Sequence, residues 1–345
     1  MQQDSNQRIV YLDLLRVIAI LAMIFQHVSS VEFLDYFALS KNWYIAAVGN
    51  SLARWCVPVF VMISGALFLN PCRDVSYSEI LKIRIPRLLI AYVFWTFFYV
   101  LIRFAYLGFD GFTLQLFIRR LLCSHFHLWF LPMMMGVYLL IPILRKITQD
   151  EKMMRYALAI WIVFVFVSFL QSALGLRVLG HFLSLFKMNI VMGYSGYFIL
   201  GYFLSKHSFS KRQRVWIFIM GIVGALITIS ATLYFSISEG EGNEFFFNNL
   251  SIQVGAMATA VFVLLKDKAW KCGKAVLRFV DFVKKDLFGV YLTHALWIIA
   301  INTEPIRHCC SEIITLPLIT IVIFVLSLFT TKLLRMIPYL RKVVE

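Results

Sequence analysis

Residues 16–27 read RVIAILAMIFQH, an apolar run that opens on an arginine and closes on a histidine. As an α-helix, the eleven steps from Arg16 to His27 turn about 1100°, roughly 20° beyond three full turns. The two side chains therefore share one face, about 16 Å apart along the axis, or about half of a hydrocarbon core ~30 Å thick. Asp13 lies on the same face. The apolar run continues on both sides to cover residues 9–29, long enough to span a bilayer. Its length, its two charged residues and the lack of a small-residue cleavage site argue against a removable signal peptide.

Nine similar runs follow, at 44–69, 88–107, 127–144, 156–174, 188–205, 215–236, 250–265, 286–302 and 313–334. The 345-residue chain is 61% hydrophobic and only 15% charged, against about 25% charged in soluble domains. No interval between the runs can hold a soluble domain. The expectation is an all-α polytopic integral membrane protein, with residues 1–345 forming a single transmembrane domain of about ten helices.

Charge placement tests the count. With residue 1 in the cytoplasm, the outer loops hold only Lys41, Arg103, Arg119, Arg120, Arg177, Lys187 and Arg307 of the 33 Lys and Arg. Arg16 and Arg54 fall inside spans, and all the others lie in inner loops. That asymmetry follows the positive-inside rule and an odd number of spans would scramble it, so both termini are expected in the cytoplasm. The net charge of +15 then sets topology, and nucleic acid is not expected as a partner. Of the six cysteines, Cys56 is intramembrane, Cys72 and Cys272 inner, and Cys123, Cys309 and Cys310 outer. None has metal-ligand spacing, and no metal is expected. The acidic outer stretch SEGEGNE, residues 238–244, reads as a flexible solvated loop, with acceptor contact as the second reading. QLFIRRLLCSHF, within 104–126, reads as an amphipathic segment on the outer surface.

Ionisable groups inside a membrane are costly and mark function or pairing. Asp13, Arg16, His27, Arg54 and His294 are such groups, and His127 opens the fourth span. Arg16 and Asp13 have the spacing of an i, i+3 ion pair. His127 and His294 also suit interhelical hydrogen bonding. On the inner side KIRIPRLL, residues 82–89, brings Lys82, Arg84 and Arg87 ahead of the third span, with Pro86 suited to a helix's first turn. Cations at a helix N-terminus are disfavoured unless an anion sits among them, and guanidinium forks suit phosphate. Ordinary positive-inside anchoring is the competing reading.

These stretches together resemble the acyltransferase family 3 membrane proteins, which O-acylate cell-envelope polysaccharides. YLDLLRVIAILAMIFQH carries the family's Arg–ten residues–His pattern, and SLARWCVPVFVMISGALF resembles its second helix, with Arg54, Pro58, Ser64 and Gly65. RIPR, residues 84–87, matches its Arg-x-x-Arg, HLWFLPMMMGVYLLIP its helix 4 block, and FGVYLTHALW its late helix with a histidine. The chain looks closest to short ten-helix O-acetyltransferases without an attached extracellular domain. One departure stands out: where many members carry a glutamate after Trp-x-Leu, this chain has Pro132-Met133-Met134-Met135.

The resemblance implies transfer of an acyl group, by default acetyl, from cytoplasmic acetyl-CoA to a hydroxyl of an extracytoplasmic glycan or lipid-linked glycan. It implies a co-substrate rather than a tightly bound cofactor, and a multi-pass protein of a bacterial cytoplasmic membrane. Arg84, Arg87, Lys82 and Arg54 are then expected on the acyl-CoA. His27 is expected to act as general base or transient acyl carrier, with Arg16 steadying anionic atoms and Asp13 orienting Arg16. His127, Trp129, Tyr291 and His294 are expected on the acceptor side, and a homo-oligomer is compatible with the phenylalanine-rich helices. The competing class is an ion-coupled transporter or flippase of a glycan or anion, although the two halves show no internal repeat. A membrane sensor lacks any signalling domain.

Overall fold

The computed structural model describes residues 2–35, 39–107, 113–123, 125–185, 193–268, 272–301 and 312–345. Lys187, Lys271, Arg307, Cys309 and Cys310 lie outside the described residues, as do the side chains of Arg8, Cys123 and Arg177. Helices form nearly everything described, and no strand occurs among those residues. In chain order they are α1 (Gln2–Asp35), α2 (Lys41–Ala53), α3 (Cys56–Phe68) and α4 (Ile85–Leu107), the last preceded by a helical turn, Tyr77–Glu79, and a π-helical turn, Ile80–Arg84. Then come α5 (Leu114–Cys123), α6 (Phe130–Gln149), α7 (Glu151–Ala173), α8 (Arg177–Leu185), α9 (Ser195–Lys206) and α10 (Lys211–Glu239). A 3₁₀ turn, Phe245–Phe247, leads into α11 (Ile252–Lys268), α12 (Lys274–Val283), α13 (Leu287–Ile301), α14 (Glu312–Met336) and α15 (Pro338–Arg341).

Eight of these segments are long and apolar enough to cross a bilayer, and α13 is a shorter apolar helix. With α9 they fall on the ten apolar runs of the sequence. Large apolar side chains cover outward faces, as Val215, Ile219, Ile222 and Leu226 do on α10. Such exposure is costly in water and is normal against lipid. The chain is a multi-pass membrane protein.

Packing centres on α1, which runs against α2, α3, α13 and α14. Polar groups tie α1 to the second span: Asn50 Nδ2 donates to Ser30 Oγ at 2.8 Å and Cys56 Sγ to Gln26 Oε1 at 3.2 Å. The closest pairing joins α3 to α9. A Cβ on Gly65 would collide with the carbonyl of Phe198, and one on Gly201 with that of Met62. Only glycine allows these two backbones to touch.

Two expectations about helix ends are corrected. Residues 44–69 are not one continuous helix: α2 ends at Ala53 and α3 starts at Cys56, with a turn at Arg54 and Trp55. Pro58 has no N–H to bond the carbonyl of Arg54, so the ladder breaks where the arginine sits. Nor does Pro86 open its helix, which begins with a Ser76 cap, its Oγ accepting from the Glu79 N–H at 3.1 Å. The π turn immediately ahead of Pro86 absorbs the missing donor. Arg84 and Arg87 therefore stand beyond the first turn, and helix-dipole repulsion is not what calls for an anion beside them.

Candidate active site

One cavity of about 960 Å³ runs through the bundle, near the upper end of the range for small-molecule sites. Its lining changes character along its length. One end is basic: Arg16, Arg73, Arg84, Arg87, Lys284 and Lys285 all face it. Carboxylates offset only part of that charge. Glu79 accepts from Arg84 Nε at 2.9 Å and Nη2 at 2.6 Å, with Arg73 at 3.9 Å. Asp13 pairs with Arg16 at 2.9 Å and Lys284 at 3.7 Å. Asp281, and then Asp13, hold the Lys284 ammonium above its ordinary value, whereas burial and the neighbouring Arg84 lower the Arg73 guanidinium. Cations crowded in this way have the chemistry to pair with a polyanion.

His27 lies farther along the same wall of α1, three turns from Arg16. Three more imidazoles gather there. His294 stacks on His27 with centroids 5.4 Å apart, His127 meets His294 edge-on at 4.9 Å, and His125 Nδ1 is 3.0 Å from His127 Nδ1. His294 Nδ1 lies 2.6 Å from the carbonyl of Tyr291. That contact requires a proton on Nδ1 and leaves Nε2 as a lone pair. Tyr291 Oη donates to the carbonyl of His127 at 2.7 Å, locking α13 to the start of α6. The imidazole of His27 itself bonds no described residue, although it faces the cavity. No cluster of His, Cys, Asp or Glu suited to a metal ion occurs among the described residues.

At the far end stands Arg54, held in the helix break. Its guanidinium carbon lies 3.8 Å from the ring centroid of Phe247, and Nη2 lies 3.3 Å from Glu244 Oε1. Its Nε is buried without a partner. Glu244 belongs to the acidic 238–244 stretch, which is largely exposed, as a solvated loop is, and which also follows a defined path to the site. Gly240 turns it in a left-handed conformation with φ of 74°, and Asn243 fastens it to Ser236 and Glu239 at 2.9 and 2.7 Å. Phe247 then plugs into a buried cluster with Phe33 and Trp43.

The sequence-derived residues divide accordingly. The structure brings Arg16, His27, Arg54, Arg84, Arg87, His127, Trp129 and Tyr291 to one cavity. His294 lies directly behind His27, and Asp13 behind Arg16. Lys82 is exposed and away from the cavity. Arg54 keeps company with Glu244 and Phe247 rather than with Arg84, which lies over Phe68 at the other end of α3, about 21 Å along the axis. Sequence reading missed Arg73, Lys284, Lys285 and His125 as site residues, and reached Glu244 only through the second reading of its stretch. The first three look like ordinary inner-loop charge in one dimension, and no local spacing joins Glu244 to Arg54.

The fold is that of a multi-helix membrane protein enclosing a cavity that is polycationic at one end and histidine-rich at its middle. The family model for the acyltransferase domain of family 3 matches residues 9–335, and the chain belongs to that family. No curated protein and no solved structure matches it significantly.

Proposed function

We propose that the protein moves an acetyl group from acetyl-CoA, bound at the basic end, to a hydroxyl of a cell-envelope glycan entering from the opposite end. The observation that carries this reading is the single cavity joining Arg84 and Arg87 to Glu244, with Arg16 and His27 between them. Acyl donor and acceptor would meet inside the membrane without either one crossing it. The nucleotide phosphates take the guanidinium forks, Arg84 exchanging Glu79 for phosphate oxygen. The thin pantetheine arm extends past Arg16 and brings the thioester to His27.

In direct transfer the His27 imidazole takes the acceptor hydroxyl proton while that oxygen forms a bond to the thioester carbonyl carbon. The carbonyl electron pair moves onto oxygen, where Arg54 or Arg16 stabilises the charge. Collapse breaks the C–S bond, and the sulfur leaves with the proton from the imidazolium as free CoA thiol. In the covalent variant the imidazole nitrogen itself attacks the thioester carbon and the C–S bond breaks, releasing CoA thiolate; the acceptor hydroxyl then takes the acyl group, and its proton passes through the freed imidazole to the thiolate. Both variants need a neutral His27 with a free nitrogen, and its lack of hydrogen bonds supports either. Asp13 supports the role of Arg16 as an orienting partner.

Calorimetry of acetyl-CoA on purified protein in detergent tests the donor half. Saturable binding is expected, and its loss in Arg84→Ala/Arg87→Ala. No binding to folded wild-type protein would reject acetyl-CoA as the donor.

A further inference from the structure

We propose that Glu244 and Arg54 form an acceptor subsite selective for an uncharged polyhydroxylated ring, with Glu244 accepting hydrogen bonds from its hydroxyls. The inference rests on the acyltransferase reading above and specifies the substrate of that same site.

Three features of this end of the cavity carry it. First, the Glu244–Arg54 pair is loose: 3.3 Å exceeds the roughly 2.7–2.9 Å of a tight charge-assisted bond. The Glu244 side chain remains half exposed in the cavity. A hydroxyl can insert there, donating to the carboxylate and accepting from the guanidinium. Second, Arg54 is only 8% exposed, and its Nε has no hydrogen-bond partner although the side chain lines the cavity. A buried donor left unmade is costly, and a small shift of the guanidinium towards a ligand oxygen in the cavity would satisfy it. Third, the support is rigid. Asn243 bonds and the Phe247 plug fix Glu244 from one side, and Phe247 under the guanidinium fixes Arg54 from the other. Trp129, partly exposed on the same cavity, offers an apolar face to the ring's C–H surface.

The charge balance sets selectivity. Glu244 and Arg54 compensate each other and, among the described residues, no further cation lines this end of the cavity, so an anion arriving here faces the half-exposed Glu244 carboxylate. A uronate or phosphate-bearing glycan meets repulsion here, and a neutral sugar does not.

The test uses full-length protein in phospholipid nanodiscs with acetyl-CoA, and two bilayer-anchored probes, dodecyl maltoside and dodecyl glucuronide, with acetylated product measured by mass spectrometry. Wild type is expected to acetylate the maltoside in preference to the glucuronide. Glu244→Gln should raise the maltoside KM about tenfold, as loss of one charge-assisted bond does, with kcat held and acetyl-CoA affinity unchanged. Glu244→Asp should recover part of the loss. An unchanged KM in Glu244→Gln, a preference for the glucuronide, or acetyl-CoA binding without transfer to either probe would overturn the subsite. Failure of wild type to bind acetyl-CoA would instead reject acetyl-CoA as the donor, the reading on which the subsite rests.

Discussion

At the residue scale, the proposed chemistry concentrates on His27, whose imidazole alone among the clustered rings combines cavity access with nitrogens that bond nothing described. His27→Ala is expected to lower acyl transfer by at least about 10²-fold, the usual contribution of a positioned base or nucleophile, while acetyl-CoA binding persists. Normal transfer by that variant, read on the same probes, would remove His27 from the mechanism. His27 and Arg16 were legible because one helix carries both, and helical periodicity alone aligns them. Glu244 was legible only as one carboxylate of a stretch whose second reading was acceptor contact. Its partner Arg54 is 190 residues away in sequence, and nothing in an acidic stretch with two glycines tells which of its carboxylates meets the cavity. Arg73, Lys284 and Lys285 were hidden in a different way, since positive-inside charge and phosphate-binding charge are the same residues until three helices converge.

At the element scale, two prolines do opposite work. Pro58 opens the helix beside Arg54, and Pro86 is accommodated by a π turn that keeps its helix continuous. Proline positions can be read from sequence, but whether a ladder breaks or bulges depends on the neighbours packed around it. The α3–α9 contact allows a sharper expectation. Any side chain at Gly201 must push the α3 backbone at Met62, so Gly201→Val should destabilise the bundle by about 3 kcal/mol or more. Thermal unfolding followed by tryptophan fluorescence in detergent measures this, with the exposed Gly136 as the control because nothing surrounds its missing Cβ. A second expectation concerns the clasp after α14, where Arg335 bridges Asp286 and Glu345, and Arg341 also holds Glu345 at 2.7 Å. Arg341, and Arg335 after it, keep the Glu345 carboxyl below the ordinary glutamate range. A depressed folded value means that this stabilisation is present above the ordinary value of about 4.3 and is lost as pH falls through the depressed one. Wild type should therefore unfold at higher temperature than Glu345→Gln at pH 7, and the two should converge in acid.

At the scale of the whole molecule, polarity of the cavity and polarity of the chain must agree. The basic mouth uses Arg73 and Arg84 at the ends of α3 and α4, and Lys284 and Lys285 between α12 and α13. If acetyl-CoA is to be drawn from the cytoplasm, all of these face inward, and so does the exposed Cys72 beside Arg73. An impermeant maleimide should then label Cys72 in inside-out vesicles and not in right-side-out ones, with Cys72→Ser as the blank. Labelling from the outer face would invert the bundle and leave the arginines away from the donor pool. Salt supplies the energetic counterpart. Six cations against three carboxylates attract a polyanion over a distance that ions screen, the Debye length falling from about 10 Å at 0.1 M to about 3 Å at 1 M. Affinity for acetyl-CoA should therefore fall steadily with ionic strength. In Arg84→Ala/Arg87→Ala the residual affinity should fall less steeply, because fewer charges remain to be screened. A salt-independent affinity would mean that the acyl donor is held by its adenine or pantetheine, and that the basic end serves topology alone.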